Sequence, residues 1–255
     1  MIVLIKMNFT INLNIIQLIS VAIFSILGYI VIKLIFFDYS YTIVKPFKWE
    51  TAVKEGNVSK ELLKLEKNFV DKVRFYSLWL IIEKIKEKEI SGYFAEVGVY
   101  KGETAKLINI VEPARKFLLI DTFDGFTQVD LDSETTKGGK YSAHNFSDTS
   151  IEIVSNYIGK SENLIFIPGH FPESISDFDV EIKYAFVHID ADLYMPTKEA
   201  LKYFYPKLSE GGVIVIHDYN HNWQGVKQAV DEYCMENSIA FVEVADMQGS
   251  VVITK

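Results

Sequence analysis

Apolar side chains recur along the chain with two different periods, and the change between them marks the main elements. Between Ser59 and Glu89, apolar residues occur every three or four positions among charged ones, which predicts a helix. From Gly92 onward, short apolar runs alternate with helical patterns, and this alternation predicts a parallel sheet covered by helices on both faces. The predicted strands are 94–97, 117–120, 164–167, 185–189, 213–216, 240–244 and 251–253, and helices are predicted near 103–111, 149–159, 196–208 and 224–236.

The last two predicted strands are separated only by residues 245–250. A crossover connection needs about a dozen residues or more, so these strands form a hairpin and the sheet has one antiparallel strand near the C-terminus. The predicted fold class is therefore α/β, with a doubly wound, Rossmann-like sheet of seven strands.

The apolar segment Ile15–Phe37 carries a single charge, Lys33, in 23 residues. As a helix it would span about 34 Å, compared with about 30 Å for the hydrocarbon core of a bilayer. It has no cleavage site of a signal peptide before Asp38. We expect a transmembrane helix rather than the alternative, a buried helix, because the segment lacks a polar face. The expected organisation is an anchor at 1–37, a juxtamembrane linker at 38–58 and a globular domain at 59–255.

Charges near this segment predict its orientation. Lys33, Lys45 and Lys48 lie on its C-terminal side, and only Lys6 precedes it, so the positive-inside rule predicts a single-pass membrane protein with a cytoplasmic C-terminal domain. Residues 49–255 carry 22 basic and 33 acidic side chains, and this excess of negative charge argues against a nucleic-acid partner.

The stretch from Tyr93 to Thr104 has the order of a strand, a glycine turn and a helix start. Glu96 follows the apolar strand, Gly98 and Gly102 are four positions apart, and Thr104 opens the helix. This spacing differs from the Gly-x-Gly-x-x-Gly of dinucleotide sites, and a carboxylate at position 96 would repel a diphosphate. The pattern favours a cationic adenosine cofactor without phosphate, namely S-adenosyl-L-methionine.

Acidic or imidazole residues follow successive predicted strands, at the edge where open α/β sheets bind ligands. Such groups are costly to bury unless they are paired or bound to a metal. Asp121 follows the second strand, where a carboxylate can accept both ribose hydroxyls. The other strand ends carry Gly169 and His170, Asp190 and Asp192, and His217 and Asp218.

Asp190, His217 and Asp218 could meet across adjacent strand ends. Carboxylates with one imidazole suit Mg²⁺ or Mn²⁺, with water or substrate oxygens completing the octahedron. The alternative is that Asp190 and Asp218 cap the following helices or contact the cofactor.

Seven segments, taken together and in order, resemble the macrocin O-methyltransferase (TylF/MycF) family, a group of class I S-adenosylmethionine-dependent enzymes. The segments are AEVGVYKGETA (95–105), IDTFDGF (120–126), GHFPES (169–174), IDADLYMPT (189–197), YPKLSEGG (205–212), HDYN (217–220) and GVKQAVDE (225–232). The resemblance implies a class I methyltransferase fold and a Mg²⁺-assisted transfer of a methyl group to a hydroxyl, often on a sugar.

The resemblance also implies roles for individual residues. Asp190 and Asp218 would hold the metal, together with His217, although antibiotic-pathway members carry Asp-Asp where this chain has His217-Asp218. The membrane anchor is a second departure from those members. Tyr100 could pack on the cofactor or on the following helix. The expected cofactor-binding residues are Glu96, Gly98, Tyr100, Gly102, Thr104, Asp121, Gly169 and Asp190.

A sugar hydroxyl is a poor nucleophile, so a general base is expected. Asp190 and Asp192 are the first candidates, and His144, in a polar loop between Gln128 and Ser147 that is long enough to be a lid, is the next. Two other function classes stay open: a metal-independent methyltransferase, and a membrane-tethered binding or scaffold protein without turnover. The expected partners are a hydroxyl-bearing small molecule or glycan and the membrane through residues 15–37. The apolar stripe at 62–81 is part of the core or the face of a homodimer.

Overall fold

The computed structural model describes residues 2–35, 45–134, 141–176, 178, 181–221 and 224–255. The chain divides into two compact units, Met1–Thr51 and Ala52–Lys255. The described helices at the N-terminal end are α1 (Ile2–Lys33) and α2 (Phe47–Lys54). Of the predicted linker at 38–58, residues 38–44 lie outside the described part of the chain.

The predicted transmembrane anchor and the single-pass membrane localisation are wrong. Within the described residues, no helix combines the length and the apolar character that crossing a bilayer requires. The predicted segment Ile15–Phe37 extends past α1, which ends at Lys33, and residues 36–37 lie outside the described part of the chain.

The predicted helix over 59–89 is two helices, α3 (Lys60–Asn68) and α4 (Lys72–Glu87). The side chain of Asp71 caps α4, because its Oδ1 accepts a hydrogen bond from the backbone amide of Arg74 at 3.0 Å. A new N-terminus begins there, so the chain changes direction between the two helices. The remaining described α-helices are α5 (Glu103–Val111), α6 (Gln128–Ser133), α7 (Ile151–Ile158), α8 (Tyr194–Phe204) and α9 (Gly225–Asn237).

The described strands form one seven-stranded sheet in the order β3-β2-β1-β4-β5-β7-β6. Neighbours from β3 to β5 are parallel, and β7 pairs antiparallel with both β5 and β6. This mixed sheet fits the predicted α/β methyltransferase fold. The strands are β1 (Tyr93–Val97), β2 (Phe117–Asp121), β3 (Leu164–Pro168), β4 (Tyr184–Ile189), β5 (Leu208–Ile216), β6 (Val242–Val244) and β7 (Ser250–Thr254).

The central strands of the sheet, β1 and β4, are buried from solvent. Every residue of β4 is buried, and all residues of β1 after Tyr93 are buried as well. Parallel strands covered on both faces have this pattern, since helices exclude water from each side. Phe94 and Phe186 pack edge to face across the two strands, with 5.5 Å between ring centroids. Glu96 and His188 are buried here and bond to each other, through Glu96 Oε1 and His188 Nδ1.

Candidate active site

A cavity of about 640 Å³ lies at the carboxyl ends of the parallel strands. Its volume is within the usual range for a small-molecule site. Two predicted site residues, Gly102 and His144, do not line it. The predicted residues that do line it are Glu96, Gly98, Tyr100, Thr104, Asp121, Gly169, Asp190, Asp192, His217 and Asp218.

Gly98 lets the ends of β1 and β4 approach each other. Its φ is +84°, and a Cβ at this position would lie 1.9 Å from the backbone oxygen of Asp190. No side chain fits there, so the close approach of the two strand ends requires glycine at this position. Gly102 has a different role. It is the N-cap of α5, and a Cβ would meet the side chains of Val154 and Ile158 on α7 at 3.0 to 3.3 Å.

Asp121 organises the loop after β1. One carboxylate oxygen, Oδ2, accepts hydrogen bonds from the backbone amides of Val99 at 2.7 Å and Tyr100 at 2.9 Å. The other, Oδ1, accepts one from the amide of Phe123 at 2.7 Å. Both lone pairs of Oδ2 are used by the two amides, so the remaining lone pair lies on Oδ1, which can accept one hydrogen bond from a ligand in the cavity.

Glu96 and His188 form a buried pair on adjacent strands, with 2.9 Å between Glu96 Oε1 and His188 Nδ1. Burial, reinforced by the charge of Asp190, raises the pKa of Glu96 well above its usual range. Burial also lowers the pKa of His188 to about 3. Burial therefore disfavours the charged form of both groups, which share one hydrogen bond. The second oxygen, Oε2, has no protein partner and belongs to a residue that lines the cavity.

Asp190, His217 and Asp218 are brought together as the sequence predicts, with candidate ligand atoms all within 4.8 Å of one another. His217 Nδ1 lies 3.1 Å from Asp190 Oδ1 and 3.1 Å from Asp218 Oδ1. A fourth residue, Arg74 of α4, joins them. Its Nη1 lies 2.9 Å from His217 Nε2 and 3.5 Å from Asp190 Oδ2.

The charges of this cluster depend on each other. Burial alone would raise the pKa of Asp190, but His217 and Arg74 hold it below its usual range. Burial lowers the pKa of His217, and the carboxylates of Asp190 and Asp218 outweigh this effect and raise it to about 10. The contact between Arg74 and Nε2 favours the neutral ring instead. A guanidinium nitrogen can only donate, so the 2.9 Å contact requires an unprotonated Nε2. The imidazole proton then lies on Nδ1, between the two carboxylates.

Asp192 stands beside this cluster, and its pKa is shifted in the opposite direction from that of Asp190. Burial and the neighbouring charges of Asp190 and Asp218 raise the pKa of Asp192 well above its usual range. The hydroxyl of Tyr141 donates to Asp192 Oδ1 at 2.8 Å. Asp192 and Asp218 also have positive φ angles, of 61° and 63°. Such backbone strain is concentrated at functional sites.

Two further predicted site residues, His144 and Tyr100, lie in loops. His144 is outside the cavity lining, and its carbonyl accepts a hydrogen bond from the Ser147 hydroxyl at 2.8 Å. Tyr100 lines the cavity, donates its hydroxyl to Asp148 at 2.8 Å, and packs edge to face on Phe146 with 4.9 Å between centroids. The ring of Tyr100 therefore contacts the 146–148 loop.

His170 fastens one wall of the cavity. Its Nε2 lies 2.9 Å from Asp130 Oδ2, and its Nδ1 lies 2.7 Å from Glu173 Oε2. Burial lowers the pKa of His170, but the two carboxylates outweigh this effect and raise it. The imidazole therefore links α6 to the loop after β3, beside Gly169.

Arg74, which lines the cavity, and Tyr141, which contacts Asp192, are two residues that sequence reasoning missed. Arg74 falls in the apolar stripe that was interpreted as core or dimer face. One signal was available: the chain has only two arginines among 26 basic residues, Arg74 and Arg115. Arginine offers a planar fork of donors that lysine lacks, so rare arginines in a lysine-rich chain indicate specific contacts. Tyr141 had no comparable signal.

Comparisons with known proteins give a consistent result. A profile described as macrocin-O-methyltransferase (TylF) matches residues 40–251. The chain is 27% identical over 157 residues to the 8-demethyl-8-(2,3-dimethoxy-alpha-L-rhamnosyl)-tetracenomycin-C 4'-O-methyltransferase of Streptomyces olivaceus, covering 57% of this chain and 60% of that protein. It is 28% identical over 170 residues to the demethyldecarbamoylnovobiocin O-methyltransferase of Streptomyces niveus, covering 62% and 64% respectively. The chain therefore spans about three fifths of the length of these two relatives.

A solved structure supports the same assignment. The O-methyltransferase NovP superposes with a TM-score of 0.62 at 26% sequence identity, over 72% of this chain and 80% of that one. The calicheamicin methyltransferase CalS11 superposes with a TM-score of 0.59 at 16% identity, which indicates a shared fold.

Proposed function

Because the chain belongs to the macrocin O-methyltransferase (TylF) family, we propose that it transfers a methyl group from S-adenosyl-L-methionine to a hydroxyl group of a sugar or glycan-type acceptor. The observation that carries the proposal is the cavity at the carboxyl ends of β1, β2, β4 and β5, which is lined by ten of the predicted site residues. The sugar acceptor is supported by the Streptomyces olivaceus relative, whose name specifies a rhamnosyl group.

The cavity fits an adenosine cofactor that carries an amino acid end. Gly98 permits the tight turn that brings the end of β1 against the backbone of Asp190, and the unpaired Glu96 Oε2 lies in a residue that lines the cavity. Asp121 stands one strand away, with one lone pair left on Oδ1 for a ribose hydroxyl. The bound donor supplies an electrophilic methyl group on a sulfonium. Glu96, Gly98, Tyr100, Thr104, Asp121 and Gly169 would hold it from the β1–β3 side of the cavity.

Asp192 has the properties expected of the general base. Its pKa is raised, which brings a carboxyl closer to the pH at which proton transfer is efficient. It lines the same cavity, and the Tyr141 hydroxyl orients it. Asp192 would accept the hydroxyl proton of the acceptor while the acceptor oxygen bonds to the methyl carbon. The enzyme otherwise supplies alignment, which can be worth several kcal/mol.

The metal ion, Mg²⁺ or Mn²⁺, stays a prediction, and so does the homodimer. Asp190, His217 and Asp218 are close enough together to share a cation. Magnesium prefers oxygen ligands, however, and imidazole is more typical of zinc, copper, iron or nickel sites. The Arg74 guanidinium also lies against two of the three residues. The donor set does not fit Mg²⁺, and no step of the proposed reaction passes through a metal.

The test has two parts and uses the full chain. Calorimetry with S-adenosyl-L-methionine should show micromolar binding, and a methyl-labelled donor should then transfer label to a panel of rhamnosides and nucleotide-linked deoxysugars. A chain that binds no donor would contradict the proposal. Binding of the donor without label on any sugar would leave the cofactor site standing and reject the sugar acceptor.

A further inference from the structure

Arg74 is a basic side chain that contacts the cluster of Asp190, His217 and Asp218. The side chain lines the cavity and is about 15% exposed, with its Nη1 against both Asp190 and His217. We propose that the Arg74 guanidinium is the built-in cation of this site and takes the place of a divalent metal, so that methyl transfer is metal-independent. This inference rests on the proposed function.

The first support is that both imidazole nitrogens of His217 already contact protein groups. Nδ1 faces the two carboxylates at 3.1 Å, and Nε2 faces Arg74 at 2.9 Å. Coordination through Nε2 would require the guanidinium to leave. Coordination through Nδ1 would remove its hydrogen bond to Asp190. Neither nitrogen is free to bind a metal while Arg74 keeps its place.

The second support is that Arg74 is held in position from several sides. Its backbone amide is bonded to Asp71 Oδ1, and Asp71 Oδ2 accepts a hydrogen bond from the backbone amide of Met247 at 2.7 Å. Its guanidinium carbon lies 5.4 Å from the ring centroid of Phe69, within the range of a cation–π contact. The start of α4 and the β6–β7 hairpin thus fix the residue beside the strand ends.

The third support is charge. Arg74 Nη1 lies 3.5 Å from Asp190 Oδ2, so one carboxylate of the cluster is already paired with a permanent positive charge. A divalent ion between Asp190 and Asp218 would be a like charge at close range in a partly dry site, and the guanidinium would repel it.

The proposed role follows from these contacts. A metal would hold acceptor oxygens and stabilise the charge that develops as the hydroxyl loses its proton. A guanidinium can do the same by donating hydrogen bonds from fixed N–H groups. The balance of the reaction is unchanged: the C–S bond of the donor breaks, the acceptor O–C bond forms, the sulfonium becomes a neutral thioether, and the acceptor proton passes to Asp192.

The test measures Mn²⁺ binding to the full chain by electron paramagnetic resonance, with S-adenosylhomocysteine present. The wild type is expected to show no binding at the cluster up to millimolar Mn²⁺. In Arg74→Gln, the vacated space should let Mn²⁺ bind at least ten-fold more tightly than in the wild type, and adding Asp218→Asn should abolish the gain. Arg115→Gln is the matched control, since Arg115 contacts the carbonyls of Ile90 and Gly92 and should leave Mn²⁺ binding unchanged.

The wild type alone can overturn the proposal. Mn²⁺ binding with a Kd below about 100 μM that disappears in Asp218→Asn would show a metal site that coexists with Arg74. This measurement does not use the Arg74→Gln variant. It can therefore reject the proposal even if that variant does not fold. Donor binding is measured separately: loss of donor binding rejects the proposed function, and tight Mn²⁺ binding rejects only the role of Arg74.

Discussion

Asp121 Oδ2 accepts a hydrogen bond from the backbone amide of Tyr100 at 2.9 Å, which ties the end of β2 to the loop after β1. The amide of Val99 makes a second bond to the same oxygen, at 2.7 Å. The residue that the sequence assigns to the ribose therefore also shapes the turn around Gly98. Its loss should affect both the fold of the loop and the binding of the methyl donor.

Asp121→Ala should reduce affinity for S-adenosyl-L-methionine by about ten-fold or more, since the loop and the ribose contact are lost together. It should also lower the free energy of unfolding by about 1–3 kcal/mol, because part-buried amides lose their acceptor. Calorimetry and urea denaturation measure the two effects. Asp121→Asn keeps one carbonyl oxygen and should fall between wild type and Ala. An Ala variant with donor affinity within two-fold of wild type would contradict the assignment.

Gly98→Ala should destabilise the protein by more than about 3 kcal/mol, because the new methyl group would overlap the backbone oxygen of Asp190. Gly56→Ala is the matched control. Gly56 has a similar φ, +76° against +84°, but nothing lies within 4 Å of its Cβ position. It should cost only the conformational penalty of about 1 kcal/mol. Equal free energies of unfolding for the two variants would show that the close approach of β1 and β4 is not what requires glycine.

Glu96→Gln should become more stable relative to wild type as the pH rises from 5 to 8. Burial raises the pKa of Glu96 in the folded state, so the folded protein holds a proton that the unfolded chain loses near pH 4.3. Wild-type stability is therefore lost as the pH rises toward the folded-state pKa. The variant keeps a hydrogen-bonding group opposite His188 and does not titrate. Urea denaturation at several pH values measures the difference, and a difference that stays constant or shrinks would show that Glu96 is ionised in the folded protein.

Asp192→Asn should lower kcat by about 10²–10⁴-fold while the Kd of the methyl donor changes less than two-fold, because the base acts on the acceptor. The pKa of Asp192 is raised, so wild-type kcat/KM should rise with pH through that pKa, and the variant should lose this rise.

Tyr141→Phe is the companion variant for this prediction. The Tyr141 hydroxyl lowers the pKa of Asp192, so its removal should shift the same rise in kcat/KM toward higher pH. Profiles of kcat/KM against pH measure both effects. If the Asp192→Asn variant shows the same pH dependence of kcat/KM as the wild type, only with lower values, Asp192 is not the titrating base.

The order of elements was readable from local patterns, because burial on both faces leaves apolar runs that need no knowledge of the partner strand. The observed β1, β2 and β3 differ from their predicted bounds by at most one residue at either end. The same reasoning misjudged the segment Ile15–Phe37 as a membrane anchor, whereas no helix of the described residues meets the requirements for crossing a bilayer. The sequence analysis also missed the break between α3 and α4. The apolar period continues through it, but Asp71 caps the start of a new helix there.

The sequence by itself determined the fold family and the strand ends that carry acidic and imidazole groups, because parallel strands bring their carboxyl ends to one edge whatever their loops do. Only the tertiary structure decided which groups meet there. Arg74 and His217 are separated by 143 positions, and their contact depends on how α4 packs against the sheet. Local periodicity records that a side chain faces inward but not which distant atom it faces. Which side chains meet at these strand ends is therefore a property of packing.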